Sequence, residues 1–600
     1  MSNTNPALEA AKQASEEMIK AIDSNTCFRV EAGAGAGKTY SLVEALQYLI
    51  EKRARDYEKS GRQIACITYT NVAADEIRKR TDNHPIIYTD TIHAFSWRLL
   101  KGFQPTLRSL IHGLSDKWAD RIEEAGGCIS QEVIYDLGYP KADERTIELH
   151  HDDVIKLMAE LLKKPKFQSV LKSKYPVLFI DEYQDTNIDL ASALIANLIE
   201  TPSGMLIGLF GDHWQKIYGS KACGLIDSER VKEIGKNANF RSEKNIVECL
   251  NRMRPALSQR EVDPESSGEI IVFHSNAFRE VRRTENHWQK DLPELDAHAY
   301  LERTINNLKA QGWSFDAKNS KILMLTNNVL ASEQKYSNLA GCFRDTDDYL
   351  KKNDHYIKFF IETIEPLCEC FESRQYGKMF LVLNNKHPRL LCQQDKAKWS
   401  SDINRLIDIR KTGTIREVLD LLKETSHPRL SAKVVSAEER LATIISDKSN
   451  GEEIAESDQI FAEKIQRLGA VSYVELINLF SYMKDKTPFS TKHGVKGAEF
   501  DEVLVVCGRG WNHYDWNQLL EWFGEIVPAN KQDTFERNRN LFYVSCSRAK
   551  KKLALLFTQE LSESALQKVK DIFGEENVYG EPIELRNSQD DIGHKTPFIL

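Results

Sequence analysis

Apolar or nearly apolar runs of four to six residues recur along the chain, at Cys27–Val30, Ile64–Thr68, Val177–Ile180, Met205–Phe210, Ile270–Phe273, Ile322–Leu325, Val503–Val506 and Leu553–Phe557. Short runs that stay apolar instead of alternating suit strands buried on both faces of a parallel sheet. Helical periodicity follows several of them, first over Ser41–Ile50. Two long charged stretches, Asp120–Lys172 and Asp345–Lys484, contain no strand-like run and are predicted to be helical. The pattern predicts an α/β fold of two cores, each interrupted by a mainly helical insertion. The expected boundaries are 1–98 with 172–235 for the first core, interrupted by 99–171, and 236–345 with 486–560 for the second, interrupted by 346–485. Residues 561–600 are expected to form an acidic tail, with eight acids against four bases. A length of 600 residues fits several domains, because single cores stop growing well below it.

The composition, 41% hydrophobic and 28% charged, fits a packed core with a solvated surface. A net charge of −8 argues against nonspecific coating of nucleic acid but leaves room for a local basic channel. With no run of 18 apolar residues and a polar Met1–Ala11, a cytoplasmic protein without a membrane partner is expected. The eleven cysteines include no C-x-x-C pair, and Cys368 and Cys370 form only a C-x-C, so buried free thiols are expected.

Candidate chemistry enters at residues 32–39, Ala-Gly-Ala-Gly-Ala-Gly-Lys-Thr, between a strand-like run and a helical one. Strand, glycine-rich turn and helix make a phosphate cradle, in which backbone N–H groups of Ala34, Gly35, Ala36, Gly37 and the start of the helix turn inward. Lys38 then meets the β/γ-phosphates and the Thr39 hydroxyl holds Mg²⁺, followed by Tyr40. The strict G-x-x-x-x-G-K-[ST] pattern is missed only at Ala32. Val177–Ile180 delivers Asp181 and Glu182, an acid pair at a strand end, where Asp181 would hold Mg²⁺ through water and Glu182 would orient and deprotonate the attacking water. A third strand end carries Gly211-Asp212-His213-Trp214-Gln215-Lys216-Ile217-Tyr218-Gly219.

Together with Tyr69-Thr70-Asn71, Asp90–Phe95, Asn239-Phe240-Arg241-Ser242, Thr491–Asp501 and Asn540–Ala549, these segments stand in one order. The chain resembles the superfamily 1A helicases of the UvrD/Rep/PcrA type, whose cradle also begins with alanine. The resemblance covers roughly residues 10–560 as motifs, not as continuous similarity. It implies two RecA-like P-loop NTPase cores, ATP with Mg²⁺ as cofactors, and single-stranded and tailed duplex DNA as partners. It also implies 3′→5′ movement. By the same resemblance Arg241 and Arg548 reach across a cleft to ATP, Gln215 senses the γ-phosphate, Phe240 stacks on the base and Glu499 meets the ribose. Gln13 is the candidate adenine reader, or else a surface residue of an N-terminal helix. Tyr69, Thr70, Asn71, His93, Phe95, Tyr218 and His493 match DNA-contacting positions. For Tyr69 and Phe95, base stacking and plain core packing both stand. The family usually has an aromatic where this chain has Ser220, so one stacking platform is missing. Short helicases of similar kind accompany OLD-type nucleases in antiviral defence. With no nuclease motif following the last helicase motif, a nuclease would act in trans. A rival reading is therefore a DNA-sensing regulatory ATPase.

Overall fold

The structure is a computed structural model that describes residues 5–136, 139–201, 204–217, 219, 221–383, 392–511 and 513–580. In chain order the first strands are β1 (Phe28–Ala32), β2 (Ile64–Thr68) and β3 (Ile87–Thr91). Three short strands follow, β4 (Glu132–Tyr135), β5 (Lys141–Ala142) and β6 (Thr146–Leu149), and then β7 (Val177–Asp181), β8 (Leu206–Gly211) and β9 (Lys232–Lys236). The second half adds β10 (Glu269–His274), β11 (Ser320–Met324), β12 (Phe489–Thr491), β13 (Phe500–Cys507), β14 (Ala549–Phe557) and β15 (Val578–Tyr579).

Two six-stranded sheets result, ordered β3-β2-β7-β8-β1-β9 and β12-β11-β13-β14-β10-β15. Every pairing in both is parallel. Parallel strands share one carboxyl edge, so the turns after β1, β2, β7 and β8 meet along it, where ligands of such sheets bind. The mainly apolar β2, β7 and β8 are buried throughout, as their sequence pattern predicts, and β1 is buried throughout although it carries Arg29 and Glu31.

The insertion between β3 and β7 departs from expectation. Beside its helices Gln104–Ile111, Asp116–Glu124, His151–Leu162 and Pro165–Lys174 it holds the sheet β4-β6-β5, inside the stretch predicted to lack strands. Strands of two to four half-exposed residues are too short for their alternation to stand out from charged surroundings. The boundaries at 98 and 172 fall inside the helices Ile92–Leu100 and Pro165–Lys174.

In the second half, Leu330, Tyr336 and Leu339 already pack with the helical insertion, so its apolar core begins before residue 346. The expected acidic tail also needs correction. Helix Glu563–Phe573 buries Ala565, Val569, Ile572 and Phe573 in the second core, and β15 pairs with β10. Its charges fall on the solvent side of an amphipathic helix, and a charge count over forty residues averages that face with the buried one. Residues 581–600 lie outside the described residues.

Candidate functional site: the cleft between the two cores

The glycine turn after β1 adopts the conformation a phosphate cradle requires. Gly35 and Gly37 have φ of +76° and +74°, the left-handed region that side chains disfavour. Lys38 opens the helix Lys38–Ser60, so the N–H groups of Lys38, Thr39 and Tyr40 precede any intrahelical acceptor and carry the positive end of the helix dipole. The second core closes on this turn. A Cβ at Gly35 would lie 2.6 Å from Asn239 Oδ1 and 2.8 Å from Arg241 Cβ. Phe240 N donates to Gly35 O at 2.8 Å, Asn239 Nδ2 to Ala34 O at 3.2 Å and Gln259 Nε2 to Ala34 O at 3.1 Å. Lys236 Nζ donates to Gly37 O at 3.1 Å and to Ser41 Oγ at 2.7 Å, and burial pushes this amine down to about 8.

The acid pair faces the cradle lysine. Glu182 sits at φ +49°, a left-handed position that stores strain in a non-glycine residue. Its carboxylate Oε2 is 2.9 Å from Lys38 Nζ, and its N–H donates to Asp181 Oδ1 at 3.0 Å. Burial, and then the Glu182 charge, push Asp181 up to about 7. Burial works the same way on Glu182, but Lys38 and Lys496 outweigh it and hold that carboxylate below its usual range. Asp181, Glu182 and Asp212 thus surround one lysine with excess negative charge, and Asp185 Oδ1 is buried without a partner. Carboxylates in excess of cations suit a hard divalent cation. Gln215 is buried, its Nε2 donating to Asp212 Oδ2 at 2.8 Å.

On the second core, Arg241 Nε lies 2.9 Å from Glu499 Oε2, and its Nη1 donates to Ser547 O at 2.9 Å. Arg548 is 1% exposed, and its fork is spent within its own core, on Val544 O, Ala498 O and Ser547 Oγ. Burial, and then Arg241, push Arg548 down to about 9, against the pull of Glu182. In this arrangement Arg548 makes no hydrogen bond to the first core among the described residues. Phe240 and Tyr40 stand exposed beside Gly37.

Other expected residues lie elsewhere. Gln13 is exposed on helix Pro6–Asp23, which buries Ala7 and Ala10 against Ala238, and no described contact joins it to the cradle. Phe95 is 1% exposed and packs against Tyr88 and Tyr175, so it is a core residue and not a base platform. An aromatic at a helix start carries no mark of which face it takes. Tyr69 is 51% exposed, while Thr70 caps the helix Asn71–Arg80 by accepting from Ala73 N. His93 stacks on His151 with centroids 3.9 Å apart, and burial and that neighbour push it down to about 4. His493 Nε2 lies 3.0 Å from Tyr514 Oη, and burial, then Lys492, push it to about 4 as well. Both imidazoles are therefore neutral near pH 7. Tyr218 and Ser220 lie outside the described residues.

Lys236, Gln259, Arg254 and Glu31 escaped the sequence reading. Each sits outside the motifs, and only the burial of a charged or polar group marks it. The triad Glu31, Asp212 and His213 lies close enough together to hold a cation, and the Arg254 guanidinium already contacts two of the three. Among the described residues no helix is long and apolar enough to cross a membrane.

A family described as an AAA domain matches residues 15–221, and a UvrD-like helicase C-terminal domain matches residues 324–560. The Gabija protein GajB of Bacillus cereus (strain HuB5-5) is 24% identical over 93% of this chain and 96% of its own length. The ATP-dependent DNA helicase PcrA of Staphylococcus aureus (strain COL) is 26% identical over 52% of this chain and 48% of its own. PcrA of Staphylococcus epidermidis (strain RP62A) is 26% identical over 38% of each. The glycine turn with Lys38 lies in the first matched region and Arg548 in the second, and these matches together with both kinds of relative support a UvrD-like superfamily 1 helicase.

Proposed function

We propose that this helicase-type ATPase moves along single-stranded DNA in the 3′→5′ direction and separates tailed duplexes. The observation that carries this reading is the closure of Asn239 and Phe240 of one core onto Ala34 and Gly35 of the other. Filling the cradle with a triphosphate must alter these contacts, so nucleotide turnover moves one core against the other. In this reading Lys38 neutralises phosphate charge, Glu182 accepts the proton of the attacking water, and Gln215 senses the γ-phosphate. Thr39 and Asp181 would hold Mg²⁺, which would supply positive charge beside the phosphates. Arg241 and Arg548 stabilise charge that develops in the transition state. Phe240, Tyr40 and Glu499 contact the nucleoside, and Tyr69, Thr70 and Asn71 contact DNA, with the neutral His93 and His493 as hydrogen-bonding neighbours.

The test is ATP hydrolysis with and without single-stranded circles, together with displacement from 3′- and 5′-tailed duplexes. Stimulation by the circles and displacement only from the 3′ tail are expected. Glu182→Gln should lower the rate about 10³-fold or more while ATP and DNA still bind. Hydrolysis indifferent to DNA overturns the reading.

The likeness to a Gabija protein over nearly the whole chain favours a second role, as the DNA-sensing subunit of an antiviral system with a nuclease in trans. Purification from the native host should bring down a nuclease whose cutting requires this chain. A nuclease that cuts equally well alone removes this role.

A further inference from the structure

A series of buried hydrogen bonds connects the second core to the acid pair of the first. Arg254 follows the helix Lys244–Met253, whose Ile246, Cys249, Leu250 and Met253 pack in the second core. Its Nη1 lies 2.6 Å from Asp212 Oδ1, and its Nη2 lies 3.4 Å from Glu31 Oε2. Asp212 then acts in two directions. Its Oδ2 accepts from Gln215 Nε2 at 2.8 Å, and its N–H donates to Gln184 Oε1 at 3.0 Å. Gln184 Nε2 in turn donates to Glu182 Oε2, the oxygen that pairs with Lys38 at 2.9 Å. Arg254, Asp212, Gln184 and Gln215 are all buried, so solvent does not substitute for a lost partner.

We propose that Arg254 is a positioning residue through which the second core sets the hydrolytic groups Glu182 and Gln215. The inference rests on the roles given to those two residues above. Withdrawing Arg254 as the cleft opens leaves Asp212 buried without its nearest counter-charge and frees the residue whose carboxylate holds Gln215 and whose backbone N–H holds Gln184. Hydrolysis then requires a closed cleft, with Arg254 acting through Asp212. A purely structural ion pair is the competing explanation, since removing one partner of a buried pair is destabilising in itself. The two differ in what they move. Loss of structure lowers nucleotide binding and turnover together, whereas loss of positioning lowers turnover alone.

The experiment measures kcat for ATP hydrolysis and, by titration with a fluorescent ATP analogue, nucleotide affinity in the full chain and in Arg254→Met and Arg254→Lys. Displacing a catalytic group by an ångström costs about 10²-fold, so Arg254→Met should lose about that in kcat, with affinity changed by less than about threefold. Arg254→Lys keeps the charge but not the planar fork and should fall between the two. If Arg254→Met does not fold, Arg254→Lys decides alone, by a lowered kcat at unchanged affinity. Wild-type kcat in either variant, or parallel loss of kcat and affinity, overturns the proposal. Wild-type hydrolysis that DNA does not stimulate would instead overturn the proposed function, and the comparison of unstimulated rates would still decide on Arg254.

Discussion

Counted in chain order within its own sheet, each six-stranded sheet runs 3-2-4-5-1-6, yet only the first carries a phosphate cradle. After its first strand, β1, come Gly35 and Gly37 in left-handed conformations. After the corresponding β10 come Ser275 and Asn276, whose side chains bond to Thr558 O and Leu561 O of their own core. The fourth strands differ likewise. β7 ends in Asp181 and leads into Glu182, while β13 ends in Cys507, and the next carbonyl, Gly508 O, accepts from Trp516 Nε1 at 2.8 Å. One winding therefore serves as a nucleotide platform in the first core and as a scaffold for Arg241 and Arg548 in the second. Chemistry resides in the turns, and the sheet only brings them to one edge.

The comparison can be broken most forcefully at Arg548. If the second core contributes to a site that it does not itself contain, Arg548→Ala should lower turnover about 10³-fold or more while ATP still binds. Arg548→Lys should recover little, because a point charge does not replace a planar fork. Wild-type hydrolysis in Arg548→Ala would mean that the first core works alone.

A pair of glycines sharpens the difference further. Gly35→Ala meets Asn239 and Arg241 at under 3 Å and should prevent full closure, lowering hydrolysis about tenfold. Gly312 of the second core, at φ +85° with nothing within 4 Å of an added Cβ, offers the control. Gly312→Ala should cost only backbone strain, about 1 kcal/mol, with hydrolysis unchanged. Thermal melts and ATPase rates of both variants check this.

The smallest effect concerns the acid pair without nucleotide. Asp181 titrates near 7 in the folded chain, raised by burial and by Glu182, and near 4 when unfolded. The unfolded chain releases this proton first, so stability falls as pH rises from about 4 to about 7 and stays low above. Asp181→Asn removes the penalty and should raise Tm relative to the natural chain at pH 8, with the advantage shrinking towards pH 4. A Tm difference that does not vary with pH would refute the perturbation.

The sequence made β2, β7 and β8 legible because each is apolar but for its last residue or a glycine, and β1 because Phe28, Val30 and Ala32 alternate with Arg29 and Glu31 just before the glycine turn, and with them came the turns that hold Lys38, Asp181, Glu182 and Gln215. β9 was hidden, since Lys-Glu-Ile-Gly-Lys buries only Ile234 and the end residue Lys236 at a sheet edge. β12 and β15, three and two residues long, fall below any periodicity. Phe95 was ambiguous for a different reason, because residue type at one position does not specify a face. Arg254 and Glu31 had no local signature at all. Their meaning arises only when segments more than two hundred residues apart come within 3.4 Å.

The two residues of β15 have a consequence for solubility. Val272 and Phe273 of β10 pair with Val578 and Tyr579, which cover an otherwise open edge of the second sheet. An uncovered edge strand with Ile270, Ile271, Val272 and Phe273 in sequence is a template on which other chains can add. Val578–Tyr579, which follows the helix Glu563–Phe573 with its one buried face, therefore shields the Val272–Phe273 part of that edge from self-association.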